Sequence, residues 1–182
     1  MWELLRMQGY AATGIQELAQ AAEAPIGSIY HHFPGGKRAV AAAALRESGA
    51  AYIQLLPMLL DRHADLATAI KEAFAAAAED VANTGWANMC PVGTVAGEIA
   101  DTEPELRQVA AEVIASWVDA GIRYLAGRGV SDADGRAAMY AILSALEGGF
   151  LLARAQHTAE PLLAAGRAVA AYVSALPVTA PA

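Results

Sequence analysis

The chain has 182 residues, of which 56% are hydrophobic and 17% are charged, and its formal net charge is −7 at pH 7. This composition excludes an intrinsically disordered chain and provides enough apolar material for one or two packed domains. Alanine-rich windows such as AIKEAFAAAAEDVA favour helix, and residues that favour strands are scarce, so we predict an all-α fold.

Two further features of the sequence indicate the cellular compartment of the protein. No segment holds the roughly 18 uninterrupted apolar residues that a membrane span needs, and the opening sequence MWELLRMQGY lacks the pattern of a signal peptide. Cys90 is the single cysteine, so no internal disulfide can form. We therefore predict a cytoplasmic protein without a membrane partner.

The start of the chain is predicted to contain two short helices. Residues 2–8 favour helix and end at Gly9, which suits a left-handed C-terminal cap. Thr13 and Gln16 have the spacing of a capping box, so a second helix should span residues 13–22. Its apolar positions recur at helical spacing and predict one buried face.

A third short helix is predicted after a turn of about three residues. Pro25 suits its first position, because the N–H that proline lacks would be unpaired there, and the PGG sequence at residues 34–36 ends it. A fourth helix should begin near Lys37. Helix, turn and short helix over residues 13–33 have the dimensions of a helix-turn-helix, so we assign residues 1–50 to a DNA-binding domain.

The charge of the chain is divided unevenly along its length. Residues 1–50 carry four basic and four acidic side chains, whereas the remainder carries eight basic and fifteen acidic ones. The whole acidic excess therefore lies outside the predicted helix-turn-helix. This asymmetry suits two modules with different partners.

Longer helices are predicted after the first fifty residues. They cover residues 52–63, 65–84, 95–100, 104–128, 133–157 and 161–176. Ser131 or Asp132 should cap the helix that begins near residue 133. We assign residues 51–176 to one C-terminal helical domain and residues 177–182 to a flexible tail.

The stretch GSIYHHFPGGK at residues 27–37 concentrates polar and aromatic side chains. Gly27 lowers helix stability by about 1 kcal/mol relative to alanine, and a close approach of the backbone to DNA would explain it. Ser28 can bond to a base edge or a phosphate. Ile29 and Phe33 are four residues apart and should point into the core. The side chains that can meet phosphates are those of Tyr30, His31 and Lys37. Tyr30 and His32 could each be structural instead.

Residues 9–45, GYAATGIQELAQAAEAPIGSIYHHFPGGKRAVAAAAL, resemble the DNA-binding domain of the TetR family of bacterial transcriptional repressors. Residues 89–99, MCPVGTVAGEI, are similar to a subgroup of LmrA- and YxaF-like regulators. The resemblance implies a helix-turn-helix domain followed by an all-α domain that binds a small molecule and forms a homodimer.

The resemblance also implies which residues contact DNA, and where this chain departs from the family. The implied contacts are Thr13, Gly27, Ser28, Tyr30, His31 and Lys37, with Thr13 and Tyr30 on phosphates and Gly27 and Ser28 in the major groove. Ile26 stands where many relatives have lysine, and Glu23 where many have a turn glycine. The first helix of the family usually starts further upstream, so the first helix here is expected to be truncated. Either the start codon is misassigned, or the segment is not included in this chain, or DNA binding is weakened.

An apolar effector cavity is expected between the long C-terminal helices. Its candidate lining residues are Trp86, Met89, Cys90, Trp117, Tyr124, Met139 and Phe150, with Glu147 or Gln156 as polar anchors. Each of these side chains could instead belong to an ordinary helical core. Their apolar and aromatic character favours a small hydrophobic or aromatic effector.

The last two long helices are predicted to form a dimer. Both are rich in Ala, Gly and Leu, which permits tight packing into a four-helix bundle with a second copy. The alternative is that they pack only within one subunit. A homodimer would place two recognition helices about 34 Å apart and predicts a palindromic operator in double-stranded DNA. An effector that changes this separation would release the repressor.

An enzyme is not expected. The sequence contains no HExxH motif, nucleophile elbow, phosphate-binding loop or paired Cys/His ligand set, and it implies no cofactor. His63 lies between Asp61 and Asp65, but a solvated helix end explains this group without a metal. The alternative function is a TetR-fold ligand-binding or scaffold protein with weakened or lost DNA binding.

Overall fold

The structure, a computed structural model, describes residues 1–99 and 101–178. Within this part of the chain nine α-helices follow one another, and the predicted all-α fold is confirmed. The helices are α1 (Trp2–Ala12), α2 (Ile15–Ala21), α3 (Ile26–His32), α4 (Gly36–Leu60), α5 (Leu66–Asn83), α6 (Pro91–Ile99), α7 (Pro104–Ala126), α8 (Asp132–Gln156) and α9 (Glu160–Ser174).

The chain divides into two compact units, each built from two segments. Unit 1 comprises Met1–Ala51 and Met89–Ile114, and unit 2 comprises Tyr52–Asn88 and the residues from Ala115 onward. The pattern of the sequence places all of residues 51–176 in one C-terminal domain. This assignment needs correction for residues 89–114, because α6 packs extensively against α1.

The contact between α1 and α6 is centred on Gly9. The backbone there is left-handed, with φ 81°, and it interrupts the helical path of α1. Just beyond it, the N–H groups of Tyr10 and Ala11 donate to Glu98 Oε2 at 2.8 and 2.9 Å. A Cβ on residue 9 would lie 1.6 Å from Glu98 Oε1. The backbone conformation therefore favours glycine, and any larger residue would also displace the Glu98 carboxylate.

A small apolar core holds the first helices of unit 1 together. Leu18, Ala19 and Ile29 are buried, and the partly buried Ile15 and Phe33 pack against them. The prediction that Ile29 and Phe33 point inward is confirmed. Helices α2 and α3 are thus fixed by a few side chains from one face of each helix.

Unit 2 is held by packing of α9 against α5 and α8. Two glycines permit the close approach: a Cβ on Gly166 would lie 2.6 Å from Phe74 Cβ, and one on Gly149 would lie 2.7 Å from Leu162 Cδ2. The buried side chains between the helices belong to Ile70, Phe74, Val81, Leu162, Val169 and Val173. Because these two glycines lack side chains, Phe74 of α5 can pack against α9 and Leu162 of α9 can pack against α8.

A polar cluster in unit 2 joins the end of α4 to α7. The Tyr124 hydroxyl donates to Asp61 Oδ1 at 2.7 Å, and Arg128 Nη2 lies 3.0 Å from the same oxygen. Arg128 also donates to the Leu60 carbonyl at 3.3 Å. The hydrogen bond from Tyr124, and then that from Arg128, lower the pKa of Asp61. Burial, followed by the bond to Asp61, raises the pKa of Tyr124 from 10.0 to about 12.

The raised pKa of Tyr124 predicts a loss of stability at high pH. Because the folded state favours the neutral hydroxyl, this contribution is complete below pH 10 and disappears as the pH rises through about 12. We expect the unfolding free energy of the parent to fall more steeply over this window than that of Tyr124→Phe. Denaturant titrations at several pH values measure this difference. Equal slopes for the two proteins would contradict it.

Two helix boundaries and one residue of the tail differ from the predictions. Helix α4 is one continuous helix from Gly36 to Leu60, whereas the sequence predicts that a separate helix begins near Tyr52. Helix α6 begins at Pro91, four residues before the predicted start at Val95, because proline suits a first helical position. Val178, in the predicted flexible tail, forms an isolated antiparallel bridge with Val130. Residues 179–182 of that tail lie outside the described residues.

Helix α8 is apolar for a helix on the surface of unit 2. It has 25 residues, and its most hydrophobic 18-residue window has a mean hydropathy of 1.2, with 22% of that window buried. Among the residues described, it alone is long and apolar enough to cross a membrane by these two criteria. Core helices of globular proteins share this length and composition.

Candidate DNA-binding surface

Helices α2 and α3 are joined by a tight turn. The N–H of Glu23 donates to the Gln20 carbonyl at 3.1 Å, and that of Ala24 to the Ala19 carbonyl at 3.0 Å. Glu23 itself is left-handed, with φ 49°. A residue with a side chain costs about 1–2 kcal/mol in this conformation. Glu23, which stands where many relatives have a turn glycine, therefore occupies a position whose backbone conformation favours glycine.

The start of α2 corrects one predicted DNA contact. Thr13 is fully buried, and its hydroxyl donates to the Gly9 carbonyl at 2.6 Å. A buried hydroxyl with an internal acceptor cannot reach a phosphate, so the assignment of Thr13 to DNA is wrong in this structure. The predicted capping box is also one residue early: Gly14 is the N-cap, and Glu17 accepts from its N–H at 3.4 Å.

The outward face of α3 carries most of the other predicted contacts. Gly27 is exposed, and no heavy atom would lie within 4 Å of a Cβ placed on it. Tyr30 is 50% exposed, His31 is exposed, and Ser28 is half-buried at the margin of this face. His32 is also exposed, with its ring edge-on to that of His31 at 5.1 Å. The face is therefore open to a large partner.

The junction between α3 and α4 positions Tyr30 and Lys37. Gly36 is left-handed, with φ 60°, and a Cβ there would lie 3.1 Å from Tyr30 Cε1. Lys37 Nζ donates to the Ala11 carbonyl at 3.3 Å and lies 4.2 Å from the centre of the Tyr10 ring. Because an ammonium group has three donors, these contacts leave Lys37 able to donate to a phosphate.

The other basic residues in the first fifty have neighbours within unit 1. The Arg6 guanidinium lies 5.1 Å from the centre of the Trp2 ring. Arg38 and Arg46 pair with Glu105 and Glu112 of α7 at 3.3 and 3.5 Å. Their side chains are 44% and 57% exposed, and such surface pairs contribute little to stability.

Ile26 is not among the predicted contacts, although it belongs to the same surface. It is the first residue of α3, is 39% exposed, and lies one helical turn before Tyr30. Ile26, Gly27, Tyr30 and His31 fall on one side of the helix by their spacing. The available signal is an aliphatic residue directly before a glycine at the start of the helix, where the structure leaves it exposed.

The predicted effector residues occupy several different environments. Met89 and Cys90 belong to unit 1, and Cys90 is buried. In unit 2, Trp117 and Met139 are buried, Tyr124 is bonded to Asp61, and Phe150 packs against the core. Glu147 and Gln156 both lie on α8. Burial explains why these apolar side chains are present, and their contact with an effector stays a prediction.

Trp86 lines a surface cleft in unit 2. The cleft has a volume of about 500 Å³. The rings of Trp86 and His157 stack with centres 6.1 Å apart. Both residues have left-handed backbones, with φ 66° and 51°. The remaining lining residues are Gly85, Ala87, Leu151, Arg154 and Ala155.

Two short helices joined by a tight turn, with an open face on the second, define a DNA-binding regulator of the helix-turn-helix class. The family model for bacterial regulatory proteins of the tetR family matches residues 2–44. The model for the C-terminal domain of LmrA/YxaF-like transcriptional regulators matches residues 67–168. The chain belongs to the TetR family of transcriptional regulators. It is therefore a regulator of transcription and not an enzyme.

Individual relatives agree with this assignment. The chain is 32% identical over 160 residues to the uncharacterized HTH-type transcriptional regulator YxaF of Bacillus subtilis, and the match covers 88% of this chain and 84% of YxaF. It is 29% identical over 160 residues to the regulator LmrA of the same organism, covering 88% and 85%. The crystal structure of a regulatory protein TetR from Rhodobacter sphaeroides matches with a TM-score of 0.80 and 25% identity, covering 94% and 93% of the two chains.

Proposed function

We propose that the protein is a cytoplasmic repressor that binds a palindromic operator as a homodimer and is released by a small hydrophobic or aromatic effector. The observation that carries this proposal is the open outward face of α3. Two such faces, one from each copy, would occupy successive turns of the DNA major groove about 34 Å apart.

The apolar surfaces of α8 and α9 support dimerisation. Tyr140, Leu151 and Leu152 of α8 are 52%, 60% and 49% exposed, and Tyr172 of α9 is 39% exposed. Gly148 lies on the same side of α8 as Tyr140 and Leu151, with no heavy atom within 4 Å of an added Cβ. Apolar surface of this kind is favourably buried against a second copy. Dimerisation also accounts for the low burial of α8 in one protomer.

The class of effector is proposed from the aromatic and apolar residues of the C-terminal half. Trp86 and its stacked neighbour His157 offer flat surfaces at a cleft, and Arg154 at its edge offers a cation. A planar, largely apolar compound suits such a lining. Titrating a panel of aromatic compounds into the protein–operator complex tests this: binding should raise the melting temperature and dissociate the DNA. Thermal stabilisation without release would contradict control by that effector.

The direct test of function is selection of DNA from a randomised duplex library, followed by gel-shift titration of the selected sequence. We expect a palindromic sequence that binds more tightly than scrambled DNA of the same composition. Failure to obtain any sequence-preferring complex at low salt would support the alternative, a TetR-fold ligand-binding or scaffold protein.

Replacing Lys37 with alanine is expected to weaken binding to all DNA sequences. Loss of one phosphate contact should reduce the slope of log K against log salt by about 0.9. Gel shifts at several salt concentrations measure both effects. Lys71→Ala is the matched control, because Lys71 is an exposed lysine on α5 of unit 2. Equal slopes for Lys37→Ala and the parent would remove Lys37 from the DNA-binding surface.

A further inference from the structure

The outward face of α3 has an unusual chemistry for a surface that reads DNA. The sequence of the helix, IGSIYHH, contains no Arg, Lys, Asn or Gln. Arg and Lys are the side chains that commonly read guanine in the major groove, and Asn and Gln are those that commonly read adenine. The largest aliphatic group on this face is Ile26, which is 39% exposed.

Ile26 is not needed to build the core of unit 1. The buried cluster beneath α3 consists of Leu18, Ala19 and Ile29, against which Phe33 packs from the end of the helix. The Ile26 side chain has no hydrogen-bonding atom and cannot form a polar contact with a phosphate. If α3 lies against DNA, the favourable contact for this aliphatic side chain is with an apolar group.

The major groove offers one such group among the four standard bases, the C5-methyl group of thymine. Gly27, beside Ile26, leaves open space above the helix backbone, which permits a base edge to come close. Tyr30, one turn further along, bounds the same surface with its half-exposed ring. The contact available to Ile26 is thus with a methyl-bearing base edge.

We propose that Ile26 is a specificity-determining residue that reads the methyl group of a thymine in each operator half-site. This inference rests on the proposed binding of double-stranded DNA. It goes beyond that binding because it names a base and the group on the base that is recognised. The remaining polar groups of the face, on Ser28, Tyr30 and His31, are left to bond with phosphates and neighbouring base edges.

Substitution of deoxyuridine for thymine tests the proposal, because it removes the methyl group and leaves the hydrogen-bonding edge intact. Each thymine of the selected duplex is replaced in turn, symmetrically in both half-sites. At one position the parent should bind roughly three- to fivefold more weakly for each methyl group removed. Ile26→Ala should bind thymine and uracil duplexes equally at that position, whereas Ile26→Val should keep part of the discrimination.

The matched control is Met58→Ala, which removes a 60% exposed apolar side chain from α4 and should retain the full response to uracil. A parent that binds the selected sequence specifically, yet is unaffected by uracil at every position, would overturn this inference and leave the proposed function intact. The inference is also overturned if Ile26→Ala discriminates as strongly as the parent. Absence of any sequence-preferring complex would instead overturn the proposed function itself.

Discussion

Leu151→Glu is expected to convert the proposed dimer into a monomer. Leu151 is 60% exposed in one protomer and lies on the apolar face of α8. In a symmetric dimer the substitution introduces two carboxylates into an apolar interface, where burial of an unpaired charge is strongly unfavourable. Light scattering should show the mass of one chain. Operator affinity should fall by about two to four orders of magnitude, because two half-sites are no longer bound by one assembly.

Met58→Glu is the matched control for this experiment. Met58 is also 60% exposed, but it lies on α4 and not on the proposed interface. We expect this variant to keep the mass and operator affinity of the parent. A dimeric Leu151→Glu protein with parental affinity would place the interface elsewhere. Circular dichroism of both variants checks that the helices remain folded.

Gly166→Val is expected to lower the unfolding free energy by about 2–3 kcal/mol. A Cβ at residue 166 would lie 2.6 Å from Phe74 Cβ and 3.0 Å from Phe74 Cγ, atoms that are tied closely to the backbone of α5. The clash cannot be relieved by rotating a flexible side-chain end, so α9 must move away from α5. For a chain of this size the melting temperature should fall by roughly 4–12 °C.

The control for crowding is Gly97→Val. Gly97 lies in α6, and no heavy atom would be within 4 Å of a Cβ placed there. The same chemical change should therefore alter the melting temperature much less. Equal losses for the two variants would show that helix propensity, and not packing against Phe74, determines the effect.

The helix-turn-helix could be predicted closely because its signals are local. Pro25, Gly36 and the inward spacing of Ile29 and Phe33 each act within a few residues. The placement of Thr13 could not be predicted this way, since its burial depends on a hydrogen bond to the left-handed Gly9 segment. A shift of one residue in the helix cap changes a surface group into a buried one.

Tertiary contacts account for two further features that could not be predicted from the sequence. Nothing near Glu98 in the sequence shows that its carboxylate caps backbone groups of residues 10 and 11. The effector candidates illustrate the same limit. Met139 and Trp117 are apolar residues at helical spacing whether they contact a ligand or fill a core, and only packing separates the two cases.

The carboxylate of Glu98 has a practical consequence for anyone who wishes to exchange recognition modules between regulators. A cut after residue 51 would remove the acceptor for two amide groups and the packing partner of α1. A transplanted DNA-binding segment made from residues 1–51 alone should therefore be poorly ordered. A chimera that also carries residues 89–114 retains the contact between α1 and α6, including the Glu98 carboxylate.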